Sequence, residues 1–114
     1  MKDGLYVAQF VVGADHGHGV AVKRGERIVG GDSSHWYEGR MAEVDGGEIE
    51  GELTVRPHTG GNPSVFGFFD QFPLTLRGRQ AGTAWQFIGS TPVAPGRAMQ
   101  LNLRLLRADD ETRA

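Results

Sequence analysis

Apolar and polar residues alternate along most of this chain with a period of two. The clearest run is near the end: Met99, Leu101, Leu103 and Leu105 interleave with Gln100, Asn102 and Arg104, the pattern of a strand with one buried face. Ile49, Leu53 and Val55 alternate with Glu48, Glu50 and Glu52, an apolar face beneath an acidic one. Phe72, Leu74 and Leu76 alternate with Thr75 and Arg77, and Trp85 and Phe87 mark another short strand. Between residues 19 and 39 the pattern predicts strand, hairpin, strand, corner, strand. Val20 and Val22 alternate with Ala21 and Lys23, and Arg24-Gly25 turns the chain with glycine second, where a primed turn needs positive φ. Ile28 and Val29 return, and Gly30-Gly31-Asp32 stops that strand, with Asp32, Ser33 and Ser34 able to bond back to the backbone of the corner. A fourth strand follows from Trp36 to about Ala42.

The first strand, Leu5 to Val12, is apolar on both sides. Tyr6, Ala8 and Phe10 share one face, and Leu5, Val7 and Val11 the other. Such a strand suits a chain covered on both faces, for example by a second subunit. Residues 13–17, the Asp45-Gly46-Gly47 turn, 57–63, Ala81-Gly82 and 89–96 read as connections. The aromatics between Ser64 and Gln71 are spaced for either a short helical turn or an irregular plug. Residues 107–114 are charged without an apolar anchor and are expected to form a disordered tail behind a single domain over 1–106.

About eight short strands with hairpin-length links predict an all-β fold, an antiparallel up-and-down barrel of the small closed size that holds one ligand. A β-sandwich is the other architecture that strand number and spacing allow. Eighteen glycines among 114 residues agree with many turns and leave fewer side chains for the core.

A net charge of −2, with Lys and Arg scattered, gives no electrostatic footprint for direct nucleic-acid binding. The chain has no cysteine, so neither a disulfide framework nor thiolate chemistry is expected. No apolar run reaches the length of a membrane span, and the start of the chain lacks a signal-peptide pattern. The expectation is a soluble cytoplasmic protein with no membrane association.

The candidate chemistry is sparse. His16 and His18 fall short of the three or four protein ligands that zinc takes, so no metal site and no cofactor are assigned. His35 and His58 stand alone. Gly30-Gly31-Asp32-Ser33 lacks the lysine and following helix of a phosphate loop and reads as a bend at a barrel corner. Ser33, Ser34, Asp32 and the histidines are residue types of a hydrolase triad, but no nucleophile-elbow sequence surrounds them, and a non-enzyme is expected. Trp36, Tyr37, Trp85 and the aromatics from Phe66 to Phe72 are either cavity lining or plain core.

Met1-Lys2-Asp3-Gly4-Leu5-Tyr6, then Phe10, Gly17-His18-Gly19-Val20, Gly30-Gly31-Asp32-Ser33 and Tyr37-Glu38-Gly39 together resemble the GrlR-like family of negative regulators of type III secretion. The likeness is densest over the first forty or so residues and continues at Pro63-Ser64-Val65 and Phe72 to Leu76. It implies a lipocalin-like, calycin-type barrel of eight strands, a homodimer, an apolar cavity, and action by binding a helix-turn-helix transcriptional regulator without contacting DNA. For the cavity the candidate lining is Phe10, Val20, Val22, Leu53, Val55, Leu74, Trp85, Phe87, Leu101 and Leu103. The family's partner-binding motif, four consecutive acids after the fourth strand, is reduced here to Glu43-Val44-Asp45-Gly46. Glu43 and Asp45 are the candidate partner-binding residues, expected to form a negative patch with Glu48, Glu50 and Glu52. The other function class is a barrel that binds or senses a small apolar, lipid-like ligand and has no regulator partner.

Overall fold

A computed structural model describes residues 1–67 and 69–111. The chain forms eight strands: β1 (Gly4–Val12), β2 (Asp15–Arg24), β3 (Arg27–Gly31), β4 (His35–Glu43), β5 (Glu48–Pro57), β6 (Phe72–Ala81), β7 (Ala84–Ser90) and β8 (Met99–Ala108). Each pairs antiparallel with the next, and β1 also pairs with β8, closing the barrel and excluding the sandwich. Closure leaves no unpaired sheet edge. The only helical piece among the described residues is a 3-10 turn, Asp45–Gly47.

Register decides which residues enter the lumen. Tyr6 lies opposite both Ala21 and Leu105, Ala8 opposite Gly19 and Leu103, and Phe10 opposite Gly17 and Leu101. Tyr6, Ala8, Phe10 and Val12 are therefore the inner face of β1, and all are buried. Leu53 pairs with Leu74 across β5 and β6, and Phe87 with Leu101 across β7 and β8. Tyr6 and Leu76 are 0% exposed and Leu103 1%, marking the packed middle of the lumen.

The assignment of Val20 and Val22 to the lumen is corrected: both point outward, and Ala21 and Lys23 point in. The reason is volume. Inside β2 and β3 the wall must stay thin, because the Phe10 ring lies over Gly17 on β2 and the Tyr37 side chain over Gly30 on β3 and Gly19 on β2. A Cβ at Gly17 would fall 2.5 Å from Phe10 Cε2, and one at Gly30 would fall 2.8 Å from Tyr37 Cε2. At the far end, Lys23 is buried with its ammonium donating to Met1 O at 3.2 Å and Asp3 Oδ1 at 3.4 Å. A buried cation needs such partners.

Two connections and the end of β8 differ from expectation. β2 starts at Asp15, so the β1–β2 link is only Gly13-Ala14, with Gly13 at φ +60°. The β2–β3 turn is Gly25-Glu26, with Gly25 at its first central position and φ +60°. This is the glycine placement of a type II′ hairpin. β8 runs to Ala108, which is buried opposite Gly4, so the ordered domain passes the expected boundary at 106. Residues 112–114 of the expected tail lie outside the described residues.

From Ser64 to Gly67 the irregular alternative holds. Ser64 and Gly67 exchange two backbone hydrogen bonds, and Phe66 is inserted into the barrel mouth, 3% exposed. Its ring meets Phe72 edge-on at 5.8 Å, and Arg97 Nη1 donates to Phe66 O at 3.1 Å.

Candidate functional site

The two candidate regions stand at opposite ends of the barrel, because β4 begins with His35 at one mouth and ends with Glu43 at the other. The first region is the lumen. A cavity of about 70 Å³ is lined by six of the expected residues: Phe10, Leu53, Val55, Leu74, Leu101 and Leu103. Phe87 is buried in the core but does not line the cavity, and Trp85 is only partly buried, edge-on to Tyr6 at 5.7 Å. Trp36 is outside, under the Arg56 guanidinium at 5.0 Å. Ala8, Ala21, Ile28, Met41, Phe72 and Met99 complete the apolar wall, and Val65 and Phe66 close the mouth.

The polar part of that wall is Asp32, His35, Tyr37 and Ser64. Asp32 Oδ1 accepts from the backbone N–H groups of Ser34 at 2.9 Å and His35 at 2.8 Å, which fixes the β3–β4 corner. The Ser34 hydroxyl lies 2.7 Å from His35 Nδ1, and His58 Nε2 lies 3.0 Å from Asp32 O. Ser34 O accepts from His58 N and Thr59 N, tying the start of the β5–β6 loop to this corner. The residue types of a triad are thus together, but in the wrong order. The aspartate is engaged with backbone amides and the serine, whereas a triad needs it on the imidazole. Burial, helped by the charge of Asp32, drives the Tyr37 phenol far above its ordinary value, so it stays protonated.

His35 and Asp32 were not predicted as lining. The signal lay in strand parity: His35 shares its face with Tyr37 two residues on. His16 and His18 are exposed, and no metal-holding cluster of His, Asp or Glu occurs among the described residues.

The second region is the β4–β5 corner. Glu43 accepts a hydrogen bond from the Met1 amino group, and that bond with its positive charge holds the carboxyl below the usual range. Asp45 opens the 3-10 turn and is exposed, and Val44 between them is 39% exposed. A recess of about 210 Å³ beside Glu43 is also bordered by Glu26 and Lys23. The expected negative patch is partly offset, because Arg77 on β6 pairs with two of the β5 glutamates. Arg77 reaches Glu50 at 2.6 Å and Glu48 at 3.5 Å, whereas Arg40, opposite Glu52 in register, pairs with Glu26. The alternation that placed the glutamates outside also placed these arginines outside, one strand away.

The architecture defines the class: a small closed up-and-down barrel whose interior is wide enough for side chains and one small guest. A protein-family model described as "T3SS negative regulator, GrlR" matches residues 1–103 of the 114, and the chain belongs to that family of negative regulators of type III secretion. No curated protein matches the chain.

Proposed function

We propose that this protein is a non-catalytic regulator that represses type III secretion genes in the cytoplasm by binding a helix-turn-helix transcriptional activator, and that it does so as a homodimer. The observation that carries this reading is the family match over residues 1–103. The contact is the β4–β5 corner, where Asp45 has no ion pair among the described residues and Glu43 borders an open recess. A basic partner surface would be steered to these acids and released by salt. The comparison that tests it is Glu43→Lys with Asp45→Lys against the parent, in a pull-down of the cell's own regulators at low and moderate salt. Loss of the activator is expected at both; retention of the same partners at both would remove this corner as the contact.

A second reading is favoured by the lumen. A closed barrel with an apolar cavity and a plugged mouth suits a small apolar ligand, held alone or as a signal to the regulator. Binding of a simple alkane, followed by chemical shifts of Phe10 and Leu101, tests this second reading.

A further inference from the structure

Asp32, His35 and Tyr37 gather on one side of the lumen, at the β3–β4 corner, and one of them is left unpaired. The Tyr37 hydroxyl is fully buried and takes no hydrogen bond from the described residues. Two glycines, Gly19 and Gly30, leave room for that ring, so the barrel is shaped to keep it. His35 is 4% exposed, and its Nδ1 lies 2.7 Å from the Ser34 hydroxyl. Buried polar groups are almost always hydrogen-bonded, so the Tyr37 hydroxyl left open in an otherwise apolar lumen calls for a partner.

We propose that the lumen holds a small neutral alcohol, apolar except for one hydroxyl, seated with its oxygen among Tyr37, His35 and Asp32; this rests on the ligand-holding reading above. A hydroxyl is both acceptor and donor. It accepts from Tyr37, which burial keeps protonated, and donates to His35 Nε2 or the Asp32 carboxylate. An alkane offers neither bond, and a carboxylate would face the charge of Asp32. The tail lies against Phe10, Leu74 and Leu101. At roughly 10–15 Å³ per water-sized guest, the 70 Å³ cavity accepts about five to seven heavy atoms while Phe66 stays in place.

The test is an NMR titration of the full chain with 1-pentanol, pentane and pentanoate. The expected result is saturable shifts at His35, Tyr37, Phe10 and Leu101 with 1-pentanol, weaker binding of pentane and no binding of pentanoate. Tyr37→Phe should weaken 1-pentanol by roughly three- to tenfold, the worth of one hydrogen bond, and leave pentane unchanged. It should melt no lower than the parent, since it deletes only an unpaired hydroxyl. Equal binding of pentane and 1-pentanol, or indifference of 1-pentanol to Tyr37→Phe, would overturn the polar subsite while leaving the apolar reading intact. A failure of both guests to bind would overturn both. A marked loss of stability in Tyr37→Phe without guest would show that the hydroxyl already has a structural partner, and would overturn the subsite as well.

Discussion

The hydroxyl of Tyr37 occupies the space that a side chain on Gly19 would need: a Cβ there would fall 2.5 Å from Tyr37 Oη and would also press on the carbonyl oxygen of Gly31. One strand gave up its side chain so that another could lay a ring across the lumen. Gly19→Ala should therefore cost about 1–3 kcal/mol through overpacking. Gly60→Ala is the control, because nothing lies within 4 Å of a Cβ at that position. Thermal or denaturant unfolding of the two variants checks the contrast, and equal stability would mean that Tyr37 does not lie over Gly19.

The barrel register predicts a second contrast. Leu103 is 1% exposed, whereas Ile88 on the adjacent β7 is 56% exposed. A carboxylate at Leu103 would sit unpaired among Ala8, Trp85 and Leu105, and Leu103→Asp should lose more than about 3 kcal/mol or fail to fold. Ile88→Asp should change stability by no more than about 0.5 kcal/mol. A Leu103→Asp variant that melts like the parent would place β8 the other way round.

The two tyrosines predict an alkaline limit. Burial, with the charge of Asp3, raises the Tyr6 phenol to about 12, and Tyr37 is raised further still. Tyrosine is charged when deprotonated, so the fold favours the neutral forms. Their contribution is fully present below the unfolded value of about 10 and is lost as pH climbs from there through the folded values. In the near-ultraviolet spectrum, tyrosinate should stay absent past pH 10 while the barrel is intact, then appear together with unfolding. Titration of both phenols near 10 in a folded sample would show that neither ring is enclosed.

These contrasts also mark how far the residues alone could be read. The alternation of β8 and β5 survived into the structure because large apolar residues on one face and charged ones on the other leave a single way to pack. The Val20-Ala21-Val22-Lys23 stretch inverts the expected parity because the lumen has room only for glycine and alanine at positions 19 and 21, and Lys23 turns in at the far end, where Met1 and Asp3 receive its ammonium. The cause, Tyr37 on β4, is a long-range contact with no local trace. Closure of β1 on β8 is likewise a pairing of the chain's two ends, invisible to any short window. The candidate partner acids, Glu43 and Asp45, could be located in sequence, but not the Met1 amino group on one of them. Arg77, which pairs with two glutamates of the β5 row, was visible too, and only the barrel order set it beside them.

The inversion of Val20 and Val22 has a consequence on the outer wall. Val29, Val22 and Leu5 stand in one cross-strand row over β3, β2 and β1, and Val20 and Val7 in the next. Val20 and Val29 are 47% and 46% exposed, so an apolar strip lies open on one side of the barrel. Arg104 and Arg107 border it along β8, and Glu38 along β4. An apolar centre with a charged rim is the make-up of a protein–protein interface, and a second copy laid on the same strip by a twofold axis would bury it. A stable dimer needs on the order of 1,200 Å² in total, or about 600 Å² per protomer. The parent should therefore sediment at twice 12.4 kDa at micromolar concentration. Val20→Lys with Val29→Lys should sediment as a monomer and keep the parent's circular dichroism, since both side chains point away from the lumen. A monomeric parent would remove the dimer; a dimeric double variant would move its interface to another face of the barrel.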